Sequence, residues 1–141
     1  MPETVVDLAG HRRTPTARLL DEARLRLRVV LGAGHRLGPG KIDLLEAIAS
    51  TGSITAAGKR LGMSYRRAWL LIDEANRMFE TPLVVASAGG PGGGGVRLTE
   101  LGEDLVAAFR RLEERSRSAM IEELGRFEAV FADLDSPLPE R

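Results

Sequence analysis

Few residues in this 141-residue chain are of types and spacings that support reaction chemistry. His11 and His35 stand alone and there is no cysteine, so disulfides, zinc fingers and thiol catalysis are excluded and neither histidine belongs to a metal site. Asp73 and Glu74 are adjacent, which on a helix turns them about 100° apart, too far to share a proton. No serine–histidine–acid set is present, and we expect neither an enzyme nor a bound cofactor. The glycine-rich run Gly89 to Gly95, broken only by Pro91, lacks the Gly-Lys-Ser/Thr ending and the following helix of a nucleotide phosphate loop.

What remains is a cluster of cations and hydroxyls, Ser64-Tyr65-Arg66-Arg67, with Lys59 and Arg60 just before it. Arginine forks two hydrogen bonds to a guanine edge, while serine and tyrosine hydroxyls and free helix N–H groups bind phosphate oxygens. Ser53 and Thr55 add hydroxyls upstream, and Lys59 and Arg60 suit electrostatic contact with a phosphate backbone. The bland reading is a solvated helix face, so the surrounding elements must decide.

Ser53 to Phe79 reads as two helices joined by a tight turn. Ser53 is a good N-cap for a short helix whose Ile54, Ala57 and Leu61 share a face. Gly62 suits a left-handed stop, Met63 packs the corner and Ser64 offers a second N-cap. Behind it Ala68, Ile72, Ala75 and Phe79 form one buried stripe. Tyr65 and Trp69 are four apart: one reading has Tyr65 touching a phosphate or a thymine methyl with Trp69 buttressing it, and the favoured one puts Trp69 in the core with only Tyr65 exposed. This is a helix-turn-helix, whose second helix presents its N-terminal end to the major groove.

The flanks extend the pattern. Leu25, Leu27 and Val29 alternate with Arg24, Arg26 and Arg28, as in a half-buried strand with one basic face. Gly32 to Gly40 reads as a loop. Lys41 to Thr51 is an amphipathic helix ended by Gly52. After the recognition helix, Leu83-Val84-Val85 and Val96-Arg97-Leu98 are two short strands around the glycine run. A hairpin here is the wing of a winged helix. Main-chain N–H groups of Gly92, Gly93 and Gly94 can approach phosphates closely, and Arg97 is the only charge on the hairpin.

Glu100 to about Leu134 reads as one long helix capped by Thr99. Its seam is Leu105, Phe109, Leu112, Ser116 and Met120, continued by Leu124, Phe127 and Phe131. At 1.5 Å per residue it would run about 50 Å, which favours pairing with a copy of itself. The other reading is a helix broken near Gly125 that folds back on its own domain. Residues 1–23 read as an arm, flexible or partly helical, and 135–141 as a polar tail.

The formal net charge is zero, but it is unevenly spread. Residues 1–35 hold six arginines against four acids, +2; residues 36–99 hold eight basic side chains against five acids, +3; the rest hold six against eleven, −5. The positive excess falls where the reading elements are expected, and its modest size points to binding as a dimer. With no apolar run long enough for a bilayer and no signal peptide, the expectation is a cytoplasmic protein without a membrane partner.

Gly52-Ser53-Ile54, Gly62-Met63-Ser64-Tyr65 with Ala68-Trp69, the wing Gly89-Gly90-Pro91-Gly92-Gly93-Gly94-Gly95, and Leu98-Thr99 followed by Gly102 resemble the N-terminal domain of the ModE family of molybdate-responsive transcription regulators, a relative of the LysR-type DNA-binding domain. The resemblance runs from about Leu25 to Met120. It implies a mainly α fold with a β-hairpin wing, a homodimer joined through its strand and long last helix, and sequence-specific binding of double-stranded DNA at an inverted repeat. It further implies a link to molybdate metabolism. Regulators of this family carry C-terminal oxyanion-binding domains, so the expectation is a stand-alone form, with molybdate one candidate effector. The competing readings are an oxyanion or small-ligand sensor binding at the glycine-rich loop without DNA readout, and a subunit that lends its helix to a larger regulator.

Overall fold

A computed structural model describes residues 17–88, 94–135 and 137–140. In chain order the elements are α1 (Ala17–Asp21), β1 (Val29–Leu31), β2 (His35–Leu37), α2 (Pro39–Thr51), α3 (Ile54–Arg60), α4 (Tyr65–Arg77), β3 (Val84–Ala86), β4 (Val96–Leu98) and α5 (Glu100–Leu124), followed by a 3₁₀ helix at Gly125–Val130. Two compact units divide the chain, one of residues 26–113 and one of residues 1–25 with 114–141.

In the larger unit, α2 supplies the centre of the core. Ile42, Leu44, Leu45 and Ile48 are almost fully buried, and Ala57, Ala68, Ile72, Ala75, Leu83 and Phe109 pack with them. Such a continuous apolar cluster is what stabilises three short helices, none of them long enough to persist alone in water. Gly52 (φ 67°) turns the chain out of α2, and its N–H closes on the Ile48 carbonyl. Gly62 (φ 69°) does the same between α3 and α4. Both conformations are left-handed, where a Cβ would be strained.

The first strand departs from expectation. Residues 25, 27 and 29 are half-buried and 24, 26 and 28 exposed, as the alternation predicts, yet residues 23–28 have no strand partner among the described residues. Pairing starts at Val29, and the partner is β2, inside the stretch read as a loop. Gly32 (φ 58°) and Gly34 (φ 109°) make the turn tight enough for His35-Arg36-Leu37 to return antiparallel. The second hairpin forms where expected, its return strand at 96–98 as read and its first strand one residue later: Val84 opposes Leu98 and Ala86 opposes Val96. Leu83 is the pivot before it, its carbonyl accepting from Thr99 N–H and Oγ1.

The last helix also differs from the expected 100–134. It ends at Leu124 and tightens into the 3₁₀ turn at Gly125, a poor helix former. In the smaller unit α1 and the 3₁₀ turn lie against each other, and Arg117 donates to the carbonyls of Ala23 (2.7 Å) and Asp21. The helical run thus breaks at Gly125 rather than continuing to residue 134. Of the arm, Ala17–Asp21 is helical, and residues 1–16 lie outside the described residues.

Candidate nucleic-acid interface

α3, α4 and the β3–β4 hairpin position the cluster that the sequence singles out. Ser53 caps α3, its Oγ accepting from Ala56 N–H at 3.1 Å, and Ser64 caps α4, accepting from Arg67 N–H at 3.1 Å. Each hydroxyl keeps its own hydrogen free to donate outward. Gly58 lets the two helices meet: a Cβ there would sit 3.2 Å from Ala68 Cβ and 3.3 Å from the Met63 carbonyl. That close crossing buries Ala68 and turns the start of α4 outward.

Tyr65, Arg66 and Arg67 are accordingly exposed on the first turn of α4, as are Thr55 and Lys59 on α3. Among the described residues, Lys59, Arg66, Arg67 and Arg97 have no side-chain hydrogen bond or ion pair. Arg60 differs: its guanidinium donates to Ser50 Oγ on α2, at a cleft of about 400 Å³ that Asp43, Glu46 and Arg110 also line. Some other cations of this unit are engaged in the fold. Lys41, nearly buried, pairs with Glu74 of α4 at 3.1 Å, and Arg77 pairs with Asp73 at 2.9 Å. Arg26, Arg28, Arg36 and Arg111 of the same unit are also exposed and unpaired, so free positive charge includes the elements proposed to read and extends beyond them.

The wing is fastened at two points. Gly95 abuts Gly52, where a Cβ would come within 2.3 Å of the Gly52 carbonyl, and Val96 N–H donates to that same oxygen at 3.0 Å. The second fastening is Asn76 of α4. Its Oδ1 accepts from Leu83 N–H (2.9 Å) and Val84 N–H (3.1 Å), and its Nδ2 donates to the Val84 carbonyl (3.2 Å). Recognition helix and wing are therefore tied side chain to main chain.

The arrangement of two capped helices, a close glycine crossing and a hairpin laced to the second helix has a known counterpart. Residues 40–103 match the bacterial regulatory helix-turn-helix protein of the lysR family. The chain is 43% identical over 95 residues to the molybdenum transport protein ModE of Azotobacter vinelandii, covering 67% of this chain and 35% of that one. It is 43% identical over 94 residues to the molybdenum-pterin-binding protein MopB of Rhodobacter capsulatus (66% and 35%). Over 81 residues it is 41% identical to the DNA-binding transcriptional dual regulator ModE of Escherichia coli K12 (57% and 31%). Residues 40–103 are thus a ModE-like helix-turn-helix domain of the lysR type. The chain spans about a third of the length of the curated relatives it matches.

Within this lysR-type domain the structure brings Ser64, Tyr65, Arg66 and Arg67 together at one helix tip, with Ser53, Thr55 and Lys59 on the preceding helix. Gly94 is exposed and Arg97, exposed, sits opposite Val85 on the hairpin, while Gly92 and Gly93 lie outside the described residues. Trp69 corrects the sequence reading. It is 48% exposed, beside Tyr65 at 56%, because Ala68, Leu71, Ile72 and Ala75 already fill the buried stripe. Phe79 lies past the helix end and is only half-buried. Sequence reasoning missed Asn76, Lys41 and Gly58. An asparagine near the end of a recognition helix was the one available signal, since that residue is a poor helix former whose amide needs partners.

Proposed function

We propose that this chain is a homodimeric, sequence-specific DNA-binding transcription regulator. The observation that carries the proposal is the unpaired, exposed Arg66 and Arg67 on the Ser64-capped tip of a helix that Asn76 ties to a wing. Arg66 and Arg67 reach base edges, Ser53, Thr55, Ser64, Tyr65 and Lys59 hold phosphates, and the wing with Gly92, Gly93, Gly94 and Arg97 flanks the adjacent backbone. The names of the relatives support a regulatory role and target genes in molybdenum transport or use; a non-catalytic protein of the cytoplasm is part of the same proposal. No helix among the described residues is long and apolar enough to cross a membrane.

A two-fold dimer requires an inverted-repeat operator with half-sites about one helical turn, or a multiple of it, apart. Exposed apolar side chains support pairing: Val30 and Leu31 on β1, and separately Leu124, Phe127 and Val130 around the end of α5. Selection of bound duplexes from a random pool tests the proposal directly. The enriched sequences should be inverted repeats, and Arg66→Ala or Arg67→Ala should weaken binding by about 1–3 kcal/mol at matched salt. Unchanged affinity in both variants would remove the base-reading role.

A further inference from the structure

The recognition helix carries an exposed indole that the arginine-based reading leaves without a task. Trp69 is 48% exposed and, among the described residues, its N–H has no hydrogen-bond partner. With Tyr65, 56% exposed one turn before it, the indole gives α4 two outward aromatic rings, and grouped rather than single apolar side chains mark a contact surface. Their position on α4 indicates what they meet. At 3.6 residues per turn, Tyr65, Trp69 and Asn76 fall within about 40° of one another on the helix surface. Asn76 marks the side of α4 that faces the wing, because it holds Leu83 and Val84. Tyr65 and Trp69 therefore form an aromatic stripe along the wing-facing edge of the reading helix, one turn deep from its tip.

Resting on the DNA-binding reading above, we propose that Trp69, with Tyr65 beside it, is a specificity determinant that takes the 5-methyl group of a thymine in the major groove. The charge around the stripe selects this occupant over an apolar protein surface. Arg66 and Arg67 next to it are exposed and unpaired, so a neutral partner would leave two cations facing it without compensation. A polyanion satisfies them, and thymine is the base that offers an apolar group in the major groove. The indole N–H is left to donate to an acceptor on the same or the next base pair.

The test uses the full chain and a duplex selected from the random pool, with each thymine replaced singly by deoxyuridine, which lacks only the methyl group. Wild-type affinity should fall about three- to tenfold at one or more half-site positions. Trp69→Ala should bind the thymine and uracil duplexes equally there, and Trp69→Phe should keep most of the discrimination. A thermal midpoint measured for each variant separates misfolding from lost readout. Discrimination that survives intact in folded Trp69→Ala, or a wild type indifferent to every replacement, overturns the inference while leaving DNA binding standing. A wild-type chain that enriches no duplex overturns the DNA-binding reading and this inference with it.

Discussion

Asn76 treats the main chain of Val84 as a neighbouring strand would, its amide oxygen accepting the Val84 N–H at 3.1 Å and its amide nitrogen donating to the Val84 carbonyl at 3.2 Å. The same oxygen also holds Leu83 N–H, and both residues are buried, so loss of the amide strands polar groups out of reach of water. Asn76→Ala should therefore destabilise the domain by about 1–3 kcal/mol, read as a shift of the urea midpoint. Asn76→Asp keeps the acceptor and loses the donor, and should fall between the two. Wild-type stability in Asn76→Ala would show the wing to be held by β4 and Gly52 alone.

The helix-turn-helix was legible because its signals are local. Ser53, Gly62 and Ser64 act within a turn of themselves, and the Ala68, Ile72, Ala75 stripe follows from helical spacing. What the sequence hid is set by partners distant in the chain. The period-two pattern at residues 24–29 correctly gives the faces but not the pairing, since exposure alternates in any extended segment whether or not a neighbouring strand hydrogen-bonds to it. Trp69 lies outside the core because four smaller residues already close the buried stripe, and an apolar type alone does not assign a side. The break at Gly125 competes with an unbroken apolar spacing through Phe131, and spacing alone does not weigh a glycine against it.

Two glycines that look alike in the sequence should respond oppositely to alanine. At Gly102 a Cβ would lie 2.3 Å from the Leu83 carbonyl, with backbone on both sides of the clash and little room to give. Gly102→Ala should cost about 1–3 kcal/mol, the usual range for overpacking. Gly40, inside α2, has nothing within 4 Å of the same position and an ordinary φ. Gly40→Ala should stabilise by about 0.4–1 kcal/mol by restricting the unfolded chain. Thermal melts of the two variants beside wild type check both signs at once.

Arg110 joins α5 to α2 by bonding Asp43 (2.8 Å), Glu46 (3.1 Å) and its own helix's Glu113 (2.8 Å). Burial works against the charged guanidinium, but hydrogen bonds to Asp43, Glu113 and Glu46 outweigh it and raise its pKa above the ordinary arginine value. A raised folded pKa means the contribution is fully present below the unfolded pKa and is lost only in strong alkali, so it does not vary with pH in the physiological range. Ionic strength is the informative variable. Arg110→Ala should cost about 1 kcal/mol, since the group is a third exposed. The deficit should shrink as salt screens the three carboxylates left facing one another.

Phe127 lies 49% exposed in the 3₁₀ turn, with Leu124 and Val130 also exposed around it. If that apolar set is covered by a second copy, Phe127→Glu places a charge in the interface, and its burial there is far more costly than its exposure in a monomer. Sedimentation velocity should show wild type as a dimer and the variant shifted toward monomer at micromolar concentration, with an unchanged far-ultraviolet circular dichroism spectrum. An equally dimeric variant would move the interface to β1, where Val30 and Leu31 are exposed.

Lys59 and Arg60 are neighbours at the end of α3, yet the structure separates their roles. Lys59 is exposed and unpaired, whereas Arg60 is turned back onto Ser50 Oγ of α2, which itself donates to the Ala47 carbonyl. Each cation that neutralises a phosphate steepens the fall of log affinity with log salt by about 0.9. Lys59→Ala should therefore lower the slope by nearly that amount, and Arg60→Ala by clearly less, because its guanidinium must first leave Ser50. Ser50→Ala removes that competitor and should bring Arg60 onto the backbone, steepening the slope above wild type. Fluorescence anisotropy on one selected duplex across a salt series distinguishes these cases. Equal slopes for Lys59→Ala and Arg60→Ala would mean that the bond to Ser50 does not restrain Arg60 when DNA is present.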